Sequence, residues 1–189
     1  MPGFDLARLC AELFPKESGE NTIGMILMNH GVFSFGSTAR ESYDRMIQLV
    51  TMAENYLREK DAWDIPSTTA SRANEECCMD IAQLRNEISN LAGQPMIVTR
   101  NGEDKALSYA QREDIGTISQ QGPATPDHVI RTKRLPMLGR DLDAYEAEYK
   151  AYFNEFEPAS TNKNSMLDPA PRIVVDKQFG LLFAGKSAK

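Results

Sequence analysis

The sequence has few of the residues that build disulfide frameworks and metal clusters. Its 189 residues include only two histidines, His30 and His128, and three cysteines, Cys10, Cys77 and Cys78. The cysteines are odd in number and show no Cys-x-x-Cys spacing. This pattern argues against a disulfide framework and a zinc knuckle. It indicates reduced thiols and a cytoplasmic location.

Long apolar runs and an excess of basic residues are also missing. No run approaches the ~20 apolar residues that a membrane-spanning helix needs, and no signal peptide is visible. The net charge is −6, so there is no electrostatic reason to expect binding to nucleic acid or to an anionic membrane surface. We therefore expect neither nucleic acid nor a membrane as a partner.

Several enzyme fingerprints are absent as well. There is no glycine-rich strand-to-helix motif for a dinucleotide. A Tyr-x-x-x-Lys pair is also missing, because Tyr145 is followed four residues later by Tyr149, and Tyr149 by Phe153. No Gly-x-Ser-x-Gly elbow or Walker-type loop occurs. The sequence thus predicts no NAD site within this chain.

The clearest positive signal lies between Thr22 and Leu57. Two short apolar runs, 25–28 and 32–35, flank the tripeptide Asn29-His30-Gly31. Asn and Gly both tolerate the left-handed backbone of tight turns, so the segment predicts a hairpin or a sharp bend between strands. A capping-box pattern at 38–41 then introduces a long amphipathic helix. Its apolar face is formed by Ala39, Tyr43, Met46, Ile47, Val50, Ala53 and Leu57.

His30 has two interpretations at the tip of this bend. One ring nitrogen could be fixed by the local backbone while the other faces outward, as a metal-ligating imidazole requires. Alternatively, His30 is an ordinary turn histidine that satisfies a backbone carbonyl, since only clusters of ligands are specific for a metal.

The remaining pattern predicts a mixed, largely antiparallel sheet covered by long amphipathic helices, an α/β fold. Helices are expected at 4–14, ending before Pro15, and at 68–92, ending at Gly93, and an aromatic-rich helix at 141–156. Strands are expected at 96–99, 171–176 and 180–184, with 106–110 returning beside the first of them. Short helical turns are expected at 112–121.

A basic cluster occupies 125–134 in an otherwise acidic chain. One hypothesis is a phosphate or carboxylate site held by Arg131 and Lys133, with Asp127 and His128 nearby. The alternative is a solvated basic loop or a docking surface, since such residues form surface ion pairs without any ligand.

The stretch NHGVFSFGSTARESYDRMIQLVTMAENYL closely resembles a segment of the class II aldolase and adducin head family. Further on, GPATPDHVIRTKRLPM and LDPAPRIVVDKQFGLLFAGKSAK resemble the aldolase region of bacterial proteins in which it is fused to a short-chain dehydrogenase, the rhamnulose-phosphate aldolase/alcohol dehydrogenase type. The resemblance implies that His30 is a zinc ligand, with Asn29 and Gly31 beside it at the substrate site. It also implies a homo-oligomer acting on a ketose phosphate of the rhamnulose or fuculose type.

The sequence departs from this family in one important respect. The catalytic acid and the His-x-His pair that should precede this segment are not present in these 189 residues. We therefore expect residues 1–66 to be the C-terminal part of a class II aldolase-like unit in a fragment that is inactive alone and binds Zn²⁺ weakly. An alternative is a non-catalytic assembly module similar to the adducin head.

Residues 67–189 are expected to form a second α/β unit, truncated at its C-terminus. Its last residues, GLLFAGKSAK, echo the earlier GVFSFGSTAR, with a glycine, a second glycine and an alanine at matching positions. The second unit is thus a candidate degenerate repeat in which Phe179 replaces His30.

Overall fold

The computed structural model describes residues 3–28, 30–62, 64–65, 77–160 and 163–188. The chain divides into two compact units: the first comprises Met1–Asp64 and Pro123–Val129, and the second Ile65–Gly122 and Ile130–Lys189. Both contain helices and β-strands, and antiparallel strand pairs predominate. The predicted mixed α/β fold class is confirmed.

The first unit is built around a hairpin. It contains α1 (Phe4–Glu17), β1 (Gly24–Leu27), β2 (Gly31–Ser34) and α2 (Ala39–Glu59). The two strands pair antiparallel, which confirms the hairpin predicted from the turn tripeptide. The capping pattern is also confirmed, because the Thr38 hydroxyl accepts a hydrogen bond from the Glu41 N–H at 3.1 Å.

The predicted end of α1 before Pro15 is wrong. Proline lacks an N–H and therefore removes one hydrogen bond from the last turn of the helix. This loss does not end the helix when a later N–H still bonds to a carbonyl four residues back. Here the Ser18 N–H bonds to the Phe14 carbonyl at 2.9 Å, so α1 continues to Glu17.

None of the residues in α1 or α2 is fully buried. Where α2 lies against β1, Gly24 leaves room for the Leu49 side chain, which a Cβ at position 24 would approach to 2.4 Å. The Ser34 hydroxyl also donates to the Ser42 carbonyl at 2.8 Å. Elsewhere the apolar stripe of α2 faces outward, and Tyr43 and Ile47 are 66% and 49% exposed.

The second unit contains the helices α3 (Cys77–Ala92), α4 (Asp104–Ala110), α5 (Ile115–Ile118) and α7 (Leu142–Phe156), with a short 3-10 helix at Glu157–Ala159. Its strands are β3 (Ile97–Asn101), β4 (Met137–Leu138), β5 (Ile173–Asp176) and β6 (Gly180–Gly185). They form a four-stranded sheet in the order β3-β6-β5-β4, in which only the β4–β5 pair is parallel. The helix α6 (Pro126–Thr132) contains residues assigned to both units.

Residues 106–110 form a helix, so the predicted strand at this position is wrong. The Asn101 side chain accepts a hydrogen bond from the Glu103 N–H at 3.1 Å, which turns the chain into α4. Helical spacing then buries Ala106 and Ala110 on one side of α4. β3 pairs with β6 instead. The first part of the predicted helix 68–92 lies outside the described residues, and its observed part begins at Cys77.

Both faces of this sheet are covered. The larger cluster of buried side chains joins α3, the sheet and α7, and includes Ile88, Met137, Tyr145, Val174 and Leu182. A smaller cluster packs Ala110 and Ile115 against Val175 on the other face. The second unit therefore has a buried core of its own.

Candidate functional site

His30 lies at the tip of the β1–β2 hairpin, as the sequence predicts. The loop between the paired residues Leu27 and Gly31 contains three residues, of which Asn29 lies outside the described residues. The His30 N–H donates to the Leu27 carbonyl at 3.0 Å. Its ring lies parallel to that of Phe33, with centroids 5.8 Å apart and planes inclined by 8°. The imidazole is half-buried and held against an aromatic face.

Gly31 fits this turn because of its backbone. Its φ is +154°, in a region that residues with a Cβ rarely adopt, although a Cβ here would meet no neighbouring atom. The requirement for glycine therefore comes from backbone conformation.

His30 is not part of a complete set of metal ligands within the described residues. Among them, no three histidine, cysteine or carboxylate side chains are placed to hold one metal ion. A catalytic zinc site needs three protein ligands and an open position. The donor set around His30 therefore does not fit a zinc ion by itself, and the metal role of His30 stays a prediction.

The basic segment 125–134 is mainly helical. The Thr125 hydroxyl lies 2.6 Å from His128 Nδ1, and the His128 N–H bonds to the Thr125 carbonyl at 3.2 Å. Arg131 is exposed near the end of α6, whereas the side chain of Asp127 lies outside the described residues. Thr125 thus links the start of α6 to the imidazole one turn later.

Lys133 has a different environment from the one expected of an anion ligand. It is 7% exposed, and its ammonium group donates to the Asp168 carbonyl while lying 4.1 Å from the centre of the Tyr149 ring. Burial lowers the pKa of Lys133 to about 8, with Arg172 adding to this effect and Asp168 opposing it. The Lys133 ammonium is thus engaged inside the second unit. The anion site of Arg131 and Lys133, with Asp127 and His128 nearby, stays a prediction.

Asp176 is a buried charged residue that the sequence analysis did not single out. It accepts hydrogen bonds from Arg140 Nε at 2.9 Å and from the N–H groups of Gln178 and Phe179 at 2.8 and 3.0 Å. Burial alone would raise its pKa, but these hydrogen bonds together lower it. An aspartate at the start of a turn is a recognisable signal, because its side chain can accept a hydrogen bond from the backbone two residues later. The arginine partner, by contrast, is distant in sequence.

A polar cleft runs along α7 in the second unit. It encloses about 470 Å³. Tyr145 closes one wall through a 3.1 Å hydrogen bond to the Leu135 carbonyl, and Gln120 bonds to the Pro136 carbonyl at 3.1 Å. Arg134 lies over the Tyr152 ring beside it, 4.8 Å from the ring centre. Tyr145 of the aromatic band is therefore buried within its own unit, whereas Tyr152 and Phe156 are 36% and 54% exposed.

Every helix in the described part of the chain is too short or too polar to cross a lipid bilayer. This finding concerns helices alone.

Comparison with known proteins covers both units. Residues 2–57 match the family model of the class II aldolase and adducin N-terminal domain. The model described as aldolase class II, second domain, matches residues 76–189.

The chain is also similar to a protein of Bacillus subtilis (strain 168) named the uncharacterized oxidoreductase YuxG. The two are 22% identical over 213 aligned residues, which include 98% of this chain. The chain spans 30% of the length of that relative. No solved structure gives a significant match. Because the second-domain model alone matches more than half of the sequence, the chain belongs to the class II aldolase family.

Proposed function

We propose that this chain is part of a zinc-dependent class II aldolase that cleaves a ketose phosphate of the rhamnulose or fuculose type. The observation that carries the proposal is the position of His30, half-buried at the apex of a hairpin with its backbone N–H bonded to Leu27. The ring itself stacks on Phe33, and a ring held in this way can present a nitrogen to a divalent cation with little loss of conformational freedom. We also propose that the protein is cytoplasmic, because its three cysteines are free thiols.

The chain alone is expected to be inactive. His30 supplies one imidazole, whereas a catalytic zinc site needs two further protein ligands. The described residues do not bring three such ligands together. We therefore expect weak zinc binding by the isolated 189 residues and no measurable aldolase activity.

The relative from B. subtilis suggests where the rest of the activity resides. It is named as an oxidoreductase, and most of its length lies outside the region matched by this chain. This arrangement supports an aldolase region fused to a dehydrogenase, with the nicotinamide site outside these 189 residues. Residues 1–66 and 67–189 would form two successive domains of the aldolase region.

Zinc titration followed by NMR tests the role of His30. We expect zinc to perturb the His30 ring weakly in the natural chain and the binding to disappear in His30→Ala. His128→Ala is the matched control, because it removes the other histidine and leaves the hairpin intact. Equal zinc binding by the natural chain and His30→Ala would contradict the proposed role, and stoichiometric tight binding dependent on His30 would contradict the expected weakness.

A non-catalytic assembly module is the second candidate. It is favoured by the apolar side chains that the first unit leaves exposed, among them Ile26, Val32, Phe33 and Tyr43. Such surfaces are typical of interfaces between chains. Sedimentation over a range of micromolar concentrations distinguishes this candidate, because a monomer throughout that range would argue against it.

A further inference from the structure

The polar cleft along α7 is lined by three charged side chains, those of Arg134, Asp141 and Glu148. All residues of its lining belong to the second unit, and its volume of about 470 Å³ is typical of small-molecule sites. We propose that this cleft binds a free basic α-amino acid. Its carboxylate would lie at Arg134, its α-ammonium at Glu148 and its side-chain ammonium at Asp141.

The helix sets the order of these charges. Asp141 caps the start of α7 and Glu148 follows two turns later, so both carboxylates lie on one face, about 10 Å apart along the axis. The Arg134 guanidinium lies over the Tyr152 ring, 4.8 Å from its centre. Tyr152 is one turn beyond Glu148, about 6 Å further along the axis. Along α7, the cleft therefore presents two negative charges followed by a positive one.

These three charges do not neutralise one another. Among the residues that the structure describes, neither Arg134 nor Glu148 takes part in an ion pair. Asp141 accepts the Ala144 N–H at 2.9 Å through one oxygen and has its second oxygen to offer. A simple anion would be attracted by Arg134 but repelled by both carboxylates, and a neutral molecule would leave all three charges without a counter-ion. A ligand with one anionic and two cationic groups matches the set.

The wall opposite α7 is mainly apolar. It is formed by four consecutive residues that include β4: Leu135, Pro136, Met137 and Leu138. Two carbonyls of this wall already have partners, because the Tyr145 hydroxyl bonds to that of Leu135 and the Gln120 amide to that of Pro136, each at 3.1 Å. The wall therefore offers hydrocarbon against which the methylene groups of a lysine side chain can pack.

Leu138 adds an acceptor at the Asp141 end of the cleft. Met137 lies opposite Val174 in the β4–β5 pair, and the Gly139 N–H bonds to the Val175 carbonyl at 2.9 Å. Because successive residues of a strand direct their backbone groups to opposite sides, the Leu138 carbonyl points away from β5. It can accept a hydrogen bond from the same ammonium that pairs with Asp141.

NMR titration of the full 189-residue chain with L-lysine, at neutral pH and low salt, tests the proposal. We expect saturable shifts of the Leu138 and Ala144 amide signals. Three analogues each lack one charge: Nα-acetyl-lysine lacks the α-ammonium, cadaverine the carboxylate and norleucine the side-chain ammonium. The first two should bind about tenfold more weakly than lysine, because each leaves a charged partner unused. Norleucine should bind about threefold more weakly, since Asp141 is exposed.

Substitutions in the cleft identify the residues responsible. Glu148→Gln and Arg134→Gln remove one charge each from exposed positions, and each should weaken lysine binding about tenfold. Glu146→Gln and Lys150→Gln are the matched controls. They remove the same charges from α7 outside the lining of the cleft, where Glu146 and Lys150 pair with each other at 2.6 Å. Both controls should bind lysine as the natural chain does.

Asp141→Asn tests the preference for a basic side chain. Asparagine caps a helix as well as aspartate does, so the fold is kept while the charge is lost. This variant should bind lysine and norleucine equally.

The proposal would be overturned by the absence of saturable shifts at millimolar lysine, or by unchanged affinity in Glu148→Gln. Equal binding of cadaverine and lysine would also overturn it, because the carboxylate would then have no role. Equal binding of Nα-acetyl-lysine would do the same, since the occupant would then be the C-terminal residue of a polypeptide.

Discussion

Asp61 and Gly93 occupy equivalent positions behind two different helices. The Asp61 N–H bonds to the Arg58 carbonyl, and the next N–H, of Ala62, bonds to the Leu57 carbonyl. Gly93 and Gln94 make the same pair of bonds to Asn90 and Ser89. Asp61 and Gly93 both adopt the left-handed backbone conformation, with φ of +51° and +68°. This Schellman arrangement favours glycine, so α2 ends with a less suitable residue than α3 does.

Replacing Asp61 with glycine should stabilise the first unit. The substitution removes the strain of a left-handed aspartate and a negative charge close to the C-terminus of α2. We expect the free energy of unfolding of this unit to rise by about 1 kcal/mol. Urea unfolding followed by NMR signals of the first unit measures this change.

Gly93→Ala is the matched control behind α3. A Cβ at this position meets no neighbouring atom, so the effect isolates backbone conformation. We expect the free energy of unfolding of the second unit to fall by about 1 kcal/mol. If both substitutions left stability unchanged, the assigned left-handed conformations would be incorrect.

Asp176→Asn should destabilise the second unit at neutral pH. The substitution removes a charge whose side chain is 8% exposed and which lies 2.9 Å from Arg140. We expect a loss of about 2 kcal/mol in the free energy of unfolding, measured in urea at pH 7. Asp80→Asn is the control, because Asp80 also contacts Arg140, at 3.4 Å, but is 56% exposed and should contribute less than about 1 kcal/mol.

Acidification should abolish the difference between the natural chain and Asp176→Asn. The pKa of Asp176 is lowered in the folded state, so the unfolded chain binds its proton more readily. The stabilisation is present above the ordinary aspartate pKa of 3.8 and is lost as pH falls through the lower folded value. A difference that stayed constant down to strongly acidic pH would show that the charge on Asp176 is not responsible.

Lys133 should make stability depend on alkaline pH. Its pKa is about 8 in the folded chain and ordinarily 10.5, so the unfolded chain binds more protons between these values. Stability should therefore rise by roughly 2 kcal/mol from pH 8 to pH 10 relative to Lys133→Met, whose side chain does not titrate.

The window for this comparison is set by the tyrosines beside Lys133. Burial raises the pKa of Tyr145 to about 12 and also raises that of Tyr149. Their effect has the opposite sign and begins above the ordinary tyrosine pKa of 10. Parallel pH profiles for the natural chain and Lys133→Met between pH 8 and 10 would rule out the Lys133 contribution.

Local patterns were sufficient to predict the elements that neighbouring residues determine. The β1–β2 hairpin follows from a glycine-containing turn between two short apolar runs, and α2 follows from its Thr38 cap and helical periodicity. α7 begins where Asp141 accepts a hydrogen bond from the Ala144 N–H at 2.9 Å. Each of these elements depends on residues within a few positions of one another, so the local sequence is sufficient to predict it.

Elements decided by distant residues were not predictable in the same way. The segment 106–110 has a composition compatible with a strand, but β3 takes β6 as its partner, and the residues beside β3 in sequence become helix. Arg140 and Asp176 meet across 36 positions. Sequence spacing gives no indication of such pairs.

The candidate site shows the same division. The position of His30 in a tight turn followed from its neighbours, whereas its stacking on Phe33 depends on the strand register. Proximity in sequence predicts that Lys133 and Arg131 lie at one site. The Lys133 ammonium instead contacts Asp168, which is 35 positions away.

The location of β6 in the second unit has a consequence for the order of folding. β6 lies between β3 and β5, yet it is the last of these strands to leave the ribosome. β3 is synthesised long before this partner, and Arg100 within β3 donates a hydrogen bond to the Phe179 carbonyl, 79 positions later. Closing so long a loop is slow because its entropy must be lost before the contacts form. Nascent β3 therefore leaves its hydrogen-bonding edge unpaired until β6 emerges, and during that interval chaperones would have their greatest effect on the yield of folded protein.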